Sequence, residues 1–378
     1  KKQRFLKTLA VDDIAEIDKS WPLMELKTDD DTFTAQMEFL DVNGITIKPK
    51  GKRYYPYKSA AAQVIGWVGP AMEQYQIPTL DELSRYVPGD LCGRRPGTEY
   101  VCETLLRGRR GKVVYDIDRQ LIRHTEPQLG RDVQISLDIE LQEQIEKFLG
   151  GYEHDPNCED KMAAVVMDVA SNEVLALVSL PVYNLNRIRY DYERIASDAN
   201  RPMLNKAVNK QYPPGSVVKP LILVAGLESG SISPGTVISC PAEPAPRGWP
   251  NCWIYNRYKW LGHDDQWTNN ARNAIKGSCN IYFSRVANMV EPDVLQDWLK
   301  KFGYGRSFEL IPQAMRGSDG RRFRKASGIV SSAGTNGRMA ARERRWFGIG
   351  QGNLRVTPLQ VATAMATLAR NGLYKDPK

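Results

Sequence analysis

Apolar residues first recur at helical spacing over Phe5 to Ile17. Alternating positions through Phe33 to Ile47 then read as strand-like stretches, and Ser59 to Gly69 is small and apolar. Gly and Pro break these segments, so residues 1–135 predict a mixed module of short strands and helices. Arg107 to Gly111 reads as a basic turn leading into a strand-like Val113 to Ile117. Near residue 132 the pattern changes. Val133 to Leu137 alternates like a strand, and Asp138 is placed to cap a helix whose Leu141, Ile145 and Phe148 share a face. The polar segment Gly151 to Lys161 reads as a domain junction. Ala163 to Asp168 and Glu173 to Ser179 predict two central strands of a β-hairpin around Ser171-Asn172. Farther on, Leu221 to Leu227 and Ile281 to Val290 are apolar helical runs, and Gly348 to Gly352 predicts a flexible loop. Thr357 and Gln360 form a capping box with Pro358 at the first helical position. The helix they open stops at Asn371-Gly372.

Composition narrows the class. With 378 residues, 42% hydrophobic and 25% charged, the chain can bury a core spread over two or three domains, which excludes wholesale disorder and fibrous repeats. The net charge of +8 is modest, and the basic clusters Arg107 to Lys112, Arg321 to Lys325 and Arg342 to Arg345 read as solvated faces. No helix-turn-helix, RNP-type strand or zinc knuckle supports nucleic-acid binding, whereas attraction to anionic lipids or cell-envelope substrates fits. No apolar run approaches the ~18 residues of a membrane span, and the chain opens Lys1-Lys2-Gln3-Arg4 without a signal peptide, so it reads as a soluble piece. Six cysteines are too few for a disulfide scaffold.

The strongest chemical signal is Tyr212-Pro213-Pro214-Gly215-Ser216-Val217-Val218-Lys219-Pro220, a Ser-x-x-Lys at the start of an apolar helix. Positions i and i+3 share a helix face, so the Lys219 ammonium can reach the Ser216 hydroxyl. Burial lowers the pKa of such a lysine and makes it a base, and the helix N-terminus stabilises a developing oxyanion. Taken alone, the same motif also fits an N-cap serine with a solvated lysine. A second element, Ser278-Cys279-Asn280, follows 62 residues beyond Ser216 and precedes an apolar helix. Its serine can shuttle a proton and its asparagine can orient a substrate amide; alone, it also fits a helix cap. Penicillin-binding proteins pair Ser-x-x-Lys with Ser-Asp-Asn and Lys-Thr-Gly.

On these residues the chain resembles a class B penicillin-binding protein, a peptidoglycan D,D-transpeptidase, and within that family its elongation-type branch, penicillin-binding protein 2. The resemblance extends over Met203-Leu204-Asn205-Lys206-Ala207, Ala163 to Ser179, Gly350-Gln351-Gly352 and Val356 to Gln360. Upstream it includes Arg53 to Pro56, Val64 to Gly69, Gly97 to Tyr100 and Leu106 to Gly108. It implies an α+β architecture: a mixed N-terminal pedestal over 1–155 and, over 156–378, a transpeptidase domain with a central antiparallel sheet flanked by helices. Ser216 would attack the penultimate carbonyl of a stem peptide ending in D-Ala-D-Ala and be acylated by β-lactams. Lys219 would be the base, Ser278 would relay a proton, and Asn280 would hold the donor amide. The pedestal would contact a RodA-type membrane glycosyltransferase and elongation-complex proteins, or act as a spacer. The location implied is the periplasmic, outer face of the cytoplasmic membrane, with an N-terminal anchoring helix absent from this chain. The sequence departs from the family at Val217-Val218, where a hydroxyl and an aromatic are usual. The third motif, Lys-Thr/Ser-Gly, does not occur among residues 373–378, and Lys325-Ala326-Ser327-Gly328 does not replace it, so the transpeptidase domain reads as C-terminally incomplete. The alternative this leaves open is a catalytically inactive scaffold in the cell-wall synthesis complex.

Cys240, Cys252 and Cys279 share one 40-residue window with His263, one of only three histidines. The set suits a structural zinc site, which prefers four N/S ligands; the gaps of 12, 11 and 16 residues are too wide for a finger or knuckle. The resemblance adds that some members of the branch bind zinc with a His and a Cys at matching places and two carboxylates, which Cys240 and Cys252 would replace. The alternative is a Cys240–Cys252 disulfide with His263 on the surface.

Overall fold

The computed structural model describes residues 29–42 and 53–378 apart from 73–79, 88–89, 95–96, 119, 152–161, 311–326, 333 and 335; residues 24, 26, 44, 45 and 47 are described singly. The readings at Phe5 to Ile17 and Arg321 to Lys325, and the 155/156 domain boundary, lie outside the described residues. The chain divides into two units, Lys1–Arg53 and Tyr54–Lys378.

In the first unit Asp29–Glu38 is a helix, not the strand expected around Phe33. Three successive aspartates open it and complement the positive end of the helix dipole, and Phe33 and Met37 stand one turn apart as a helical pair.

Among the described residues, the second unit contains three two-stranded antiparallel ribbons. Strand β1, Trp67–Pro70, pairs with β2, Leu91–Arg94. Strand β3, Lys112–Tyr115, pairs with β4, Leu121–Thr125. Strand β5, Ala163–Met167, pairs with β6, Val174–Ser179, which realises the hairpin read from the sequence. Val133 to Leu137 runs beside β6 without joining a sheet. It is tied there by the Ser136 hydroxyl, which donates to the Val174 carbonyl at 2.8 Å, and by the following Asp138 amide, which donates to the Leu175 carbonyl at 2.9 Å.

Asp138 caps the helix Ile139–Gly150 by accepting from the amides of Glu140 and Leu141. The buried face of this helix is Gln142 and Glu146, whereas Phe148 is 66% exposed, a correction to the expected Leu141, Ile145 and Phe148 face. Buried peptide groups explain it. Gln142 accepts from the Leu177 amide at 2.7 Å and donates to the Leu177 carbonyl, and Glu146 accepts from the Ala61 amide at 3.0 Å. Left without partners, such groups are costly, so polar side chains face inward here.

Residues 54–66 are stitched to the same unit. The Gln63 amide donates to the carbonyls of Ser179, Pro181 and Pro202 at 2.9, 3.1 and 2.9 Å. Asn186 brackets both peptide groups of Tyr55.

The main core forms around the helix Lys219–Glu228. Its Leu221, Ile222 and Ala225 are fully buried against Tyr282, Phe283 and Val286 of the helix Asn280–Met289 and Leu295 of the helix Pro292–Lys301. Gly226 lets the first two approach, since a Cβ there would come within 2.6 Å of Val286. The C-terminal helix Pro358–Ala369 opens with the expected capping box. Among the described residues, no helix is long and apolar enough to cross a membrane.

Candidate active site and metal centre

Ser216 lies in the 3₁₀ turn Gly215–Val218 that leads directly into the helix Lys219–Glu228. Its side chain is exposed, while Val218 and Lys219 are buried. The turn is held from behind. The amide of Gly215 donates to the Gly350 carbonyl at 2.9 Å, and Tyr212 and Val356 exchange both backbone hydrogen bonds. The segment expected as a flexible loop is a turn, buried at Gly348 to Gly350 and exposed at Gln351 and Gly352. Gly350 has φ +69°, and a Cβ on it would stand 2.1 Å from the Gly215 carbonyl oxygen, so only glycine fits both the backbone and the space.

Lys219 reaches across to the second motif. Its Nζ donates to the Ser278 hydroxyl at 2.9 Å, the Ser278 carbonyl at 2.7 Å and the Asn280 Oδ1 at 2.7 Å. These use all three ammonium protons, and the Ser216 hydroxyl is not among the partners, contrary to the expectation from i,i+3 spacing. The reason is that Ser278 and Asn280 already take every proton the ammonium has to give. Burial pulls the Lys219 pKa down to about 8, against the opposing pull of Cys252 and Cys279. Ser278 sits in the left-handed region at φ +49°, closing the helix Ala271–Lys276 and turning the chain into the next one. The Cys279 sulfur caps that next helix by accepting from the Tyr282 amide. Asn280 is fixed by donating to the Asn251 carbonyl at 3.0 Å, a contact no motif in the sequence announces.

Cys240, Cys252, His263 and Cys279 converge. All four are at most 2% exposed, and their ligand atoms lie within 4.8 Å of one another. The thiols of Cys240, Cys252 and Cys279 are free. His263 Nδ1 is 3.4 Å from the Cys240 sulfur and 3.3 Å from that of Cys252, and Nε2 is 2.9 Å from the Gly277 carbonyl. That last bond holds a proton on Nε2 and leaves Nδ1 facing the sulfurs, the orientation a metal ligand needs. Asn269 donates to the Cys279 sulfur at 3.3 Å. Two glycines allow the approach: a Cβ on Gly277 would fall 2.6 Å from His263, and one on Gly262 would fall 2.2 Å from the Cys240 carbonyl. Burial works against charge on His263, but hydrogen bonds and charges from Cys252 and Cys279 outweigh it and raise its pKa to about 10. The shared sulfur contacts push the Cys240 thiol up and pull Cys252 down toward thiolate. A tetrahedral zinc with bonds of about 2.0–2.3 Å needs ligand atoms about 3.3–3.8 Å apart, so the donor set and its spacing fit that ion.

Residues 162–378 match the penicillin-binding protein transpeptidase domain, and residues 6–135 match the penicillin-binding protein dimerisation domain. The chain belongs to the penicillin-binding protein transpeptidase family. It is 30% identical over 368 residues to the peptidoglycan D,D-transpeptidase MrdA of Escherichia coli K12, covering 88% of this chain and 52% of that protein. It thus spans about half the length of such relatives. Its fold is shared with Pseudomonas aeruginosa PBP2, solved in complex with WCK 5153, at a TM-score of 0.66 and 27% identity over 87% of this chain and 67% of that one. It is shared also with Helicobacter pylori PBP2 in its complex with MreC, at a TM-score of 0.75 and 24% identity over 98% of this chain and 69% of that one. In this transpeptidase-family chain the two sequence motifs therefore meet in one site, and the thiol cluster enters it through Cys279.

Proposed function

We propose that the chain is the catalytic part of a peptidoglycan D,D-transpeptidase of cell-wall elongation. The observation that carries this reading is the Lys219 ammonium held between Ser278 and Asn280, with the exposed Ser216 turn beginning the same helix. The Ser216 Oγ attacks the penultimate carbonyl of a stem peptide ending in D-Ala-D-Ala. Its proton passes to Lys219 in the neutral form, the C–N bond breaks, and Ser278 relays a proton to the departing D-Ala. Asn280 holds the donor amide. An amine of a second stem peptide then attacks the ester, forms the cross-link and frees Ser216. Penicillins acylate the same oxygen. Residues 156–378 form the transpeptidase domain and 1–155 its pedestal, which faces a RodA-type glycosyltransferase and elongation-complex proteins at the outer face of the cytoplasmic membrane. Cys240, Cys252, His263 and Cys279 hold a zinc ion whose contribution is structural; four protein ligands leave no open position for substrate.

A fluorescent penicillin is expected to label the full-length protein covalently at one site. An unlabelled protein would instead be an inactive scaffold. Because the buried Lys219 is neutral only above its lowered pKa, the acylation rate should climb as pH rises through about 8 and level off above it. A rate independent of pH between 6.5 and 9.5 would remove Lys219 as the base. Gly350→Ala forces a methyl into the Gly215 backbone behind the nucleophile, and misplacement on this scale slows acylation by about 100-fold. Time courses of labelling measure it, and a wild-type rate would show that the Gly350 contact does not position Ser216.

A further inference from the structure

Neither the acyl-transfer steps nor the thiol cluster uses Trp253. This residue opens the helix Trp253–Tyr258 with its side chain 40% exposed, and its indole Nε1 donates to the Gly277 carbonyl at 2.9 Å. His263 Nε2 meets the same oxygen at 2.9 Å. The two rings stand edge to face with centroids 6.2 Å apart. A carbonyl oxygen has two lone pairs, and here both are taken.

Gly277 directly precedes Ser278, the hydroxyl bonded to Lys219. Its carbonyl and the Ser278 amide lie in one rigid peptide plane, and the tilt of that plane sets φ of Ser278. That angle is +49°, a region a side chain with a Cβ does not favour, so the surroundings must hold it. The amides of Gly277, Ser278 and Cys279 fold back onto Asn273, Ile275 and Ala274 at 2.9, 3.1 and 2.9 Å. On the other side of the plane, Trp253 and His263 grip the carbonyl.

Trp253 does not act alone. Three consecutive residues run beside the second motif and meet it position by position. The Asn251 carbonyl accepts from Asn280 at 3.0 Å, the Cys252 sulfur lies within 4.8 Å of that of Cys279, and Trp253 takes the residue before Ser278.

We propose that Trp253 is a positioning residue of the acyl-transfer site: its indole N–H locks the Gly277–Ser278 peptide plane and so aims the Ser278 hydroxyl at Lys219. The inference rests on the transpeptidase reading above. It is separate from the metal, because Trp253 offers the cluster no ligand atom. Its contribution is the donor, and the ring serves to place it.

The test is the acylation rate of the full-length protein with a fluorescent penicillin. Trp253→Phe keeps an aromatic ring and removes the donor. It is expected to slow the acylation step by about tenfold, with the preceding noncovalent binding constant, zinc content and melting temperature unchanged. Trp253→Gln carries an N–H the same number of bonds from Cβ and is expected to recover most of the rate without the ring, whereas Trp253→Leu does not. That pair carries the test if the phenylalanine variant fails to fold. A double-mutant cycle separates positioning from general support. In a Ser278→Ala background, Trp253→Phe should change the rate by no more than about twofold, since the group it aims is gone. A wild-type rate in Trp253→Phe, the full tenfold loss in both backgrounds, a glutamine variant no faster than leucine, or zinc lost in step with the rate would each overturn the proposal. A labelled wild type with any of these outcomes sinks the Trp253 role alone, whereas an unlabelled wild type takes the transpeptidase reading down with it.

Discussion

Ser216→Ala is expected to abolish covalent penicillin labelling, a fall of at least about 10⁴-fold in acylation rate. The substitution discriminates between two serines. Lys219 is hydrogen-bonded to the Ser278 hydroxyl and not to that of Ser216, so bonding to the base alone would nominate Ser278. Position argues the other way. Ser216 is exposed just before the helix Lys219–Glu228, whose dipole stabilises an oxyanion, while the Ser278 hydroxyl already has the ammonium as a partner. Ser278→Ala should therefore slow acylation by about 10²–10³-fold, the range of general acid–base assistance, and still leave a labelled protein. Intact-mass measurement after prolonged incubation reads both. Persisting adduct in Ser216→Ala, or its loss only in Ser278→Ala, would move the nucleophile to Ser278.

The second large effect concerns the metal. Purified protein is expected to carry one zinc per chain, and Cys279→Ser or a strong chelator to remove it. Three sulfurs and an imidazole packed within 4.8 Å and shut away from water cannot share charge comfortably without a cation. Metal binding in such a loop is folding free energy, so its loss costs about 4 kcal/mol or more, which in a domain of this size lowers Tm by about 10 °C. The loosening should centre on 237–280, visible as faster amide exchange there, and acylation of Ser216 should slow even though Ser216 is untouched. Elemental analysis and thiol titration decide the matter. Well under one zinc, together with two fewer titratable thiols than six cysteines provide, would establish a Cys240–Cys252 disulfide instead.

What could be read from the sequence was whatever depends on local order. Asp138 and Thr357 cap helices because a cap needs only neighbours within three residues. The Ala163 to Ser179 hairpin alternates and turns within seventeen residues. The Ser-x-x-Lys and Ser-x-Asn motifs, and the four candidate ligands, stood out by residue type, and the fold brings each group together. Long-range partners could not be read in this way. Gln142 and Glu146 face inward because backbone groups at Leu177 and Ala61 await them, which no periodicity records. Gly350 looked mobile because glycine is permissive, yet it is there so that Gly215 can lie against it. The Asp29–Glu38 helix was hidden by short alternating stretches that a strand and an amphipathic turn share.

Gln63 and Tyr55 bear on where this protein can be cut. The transpeptidase match begins at 162, but the carbonyls of Ser179, Pro181 and Pro202 all take their hydrogen bonds from Gln63, nearly a hundred residues earlier. A fragment begun at 162 leaves those three acceptors and both Asn186 contacts without partners, and uncovers Tyr183, Leu185 and Ile188, which pack on Tyr55, Ala62 and Trp67. For expression, crystallisation or inhibitor screening, the smallest piece that keeps its own interior begins before Tyr54.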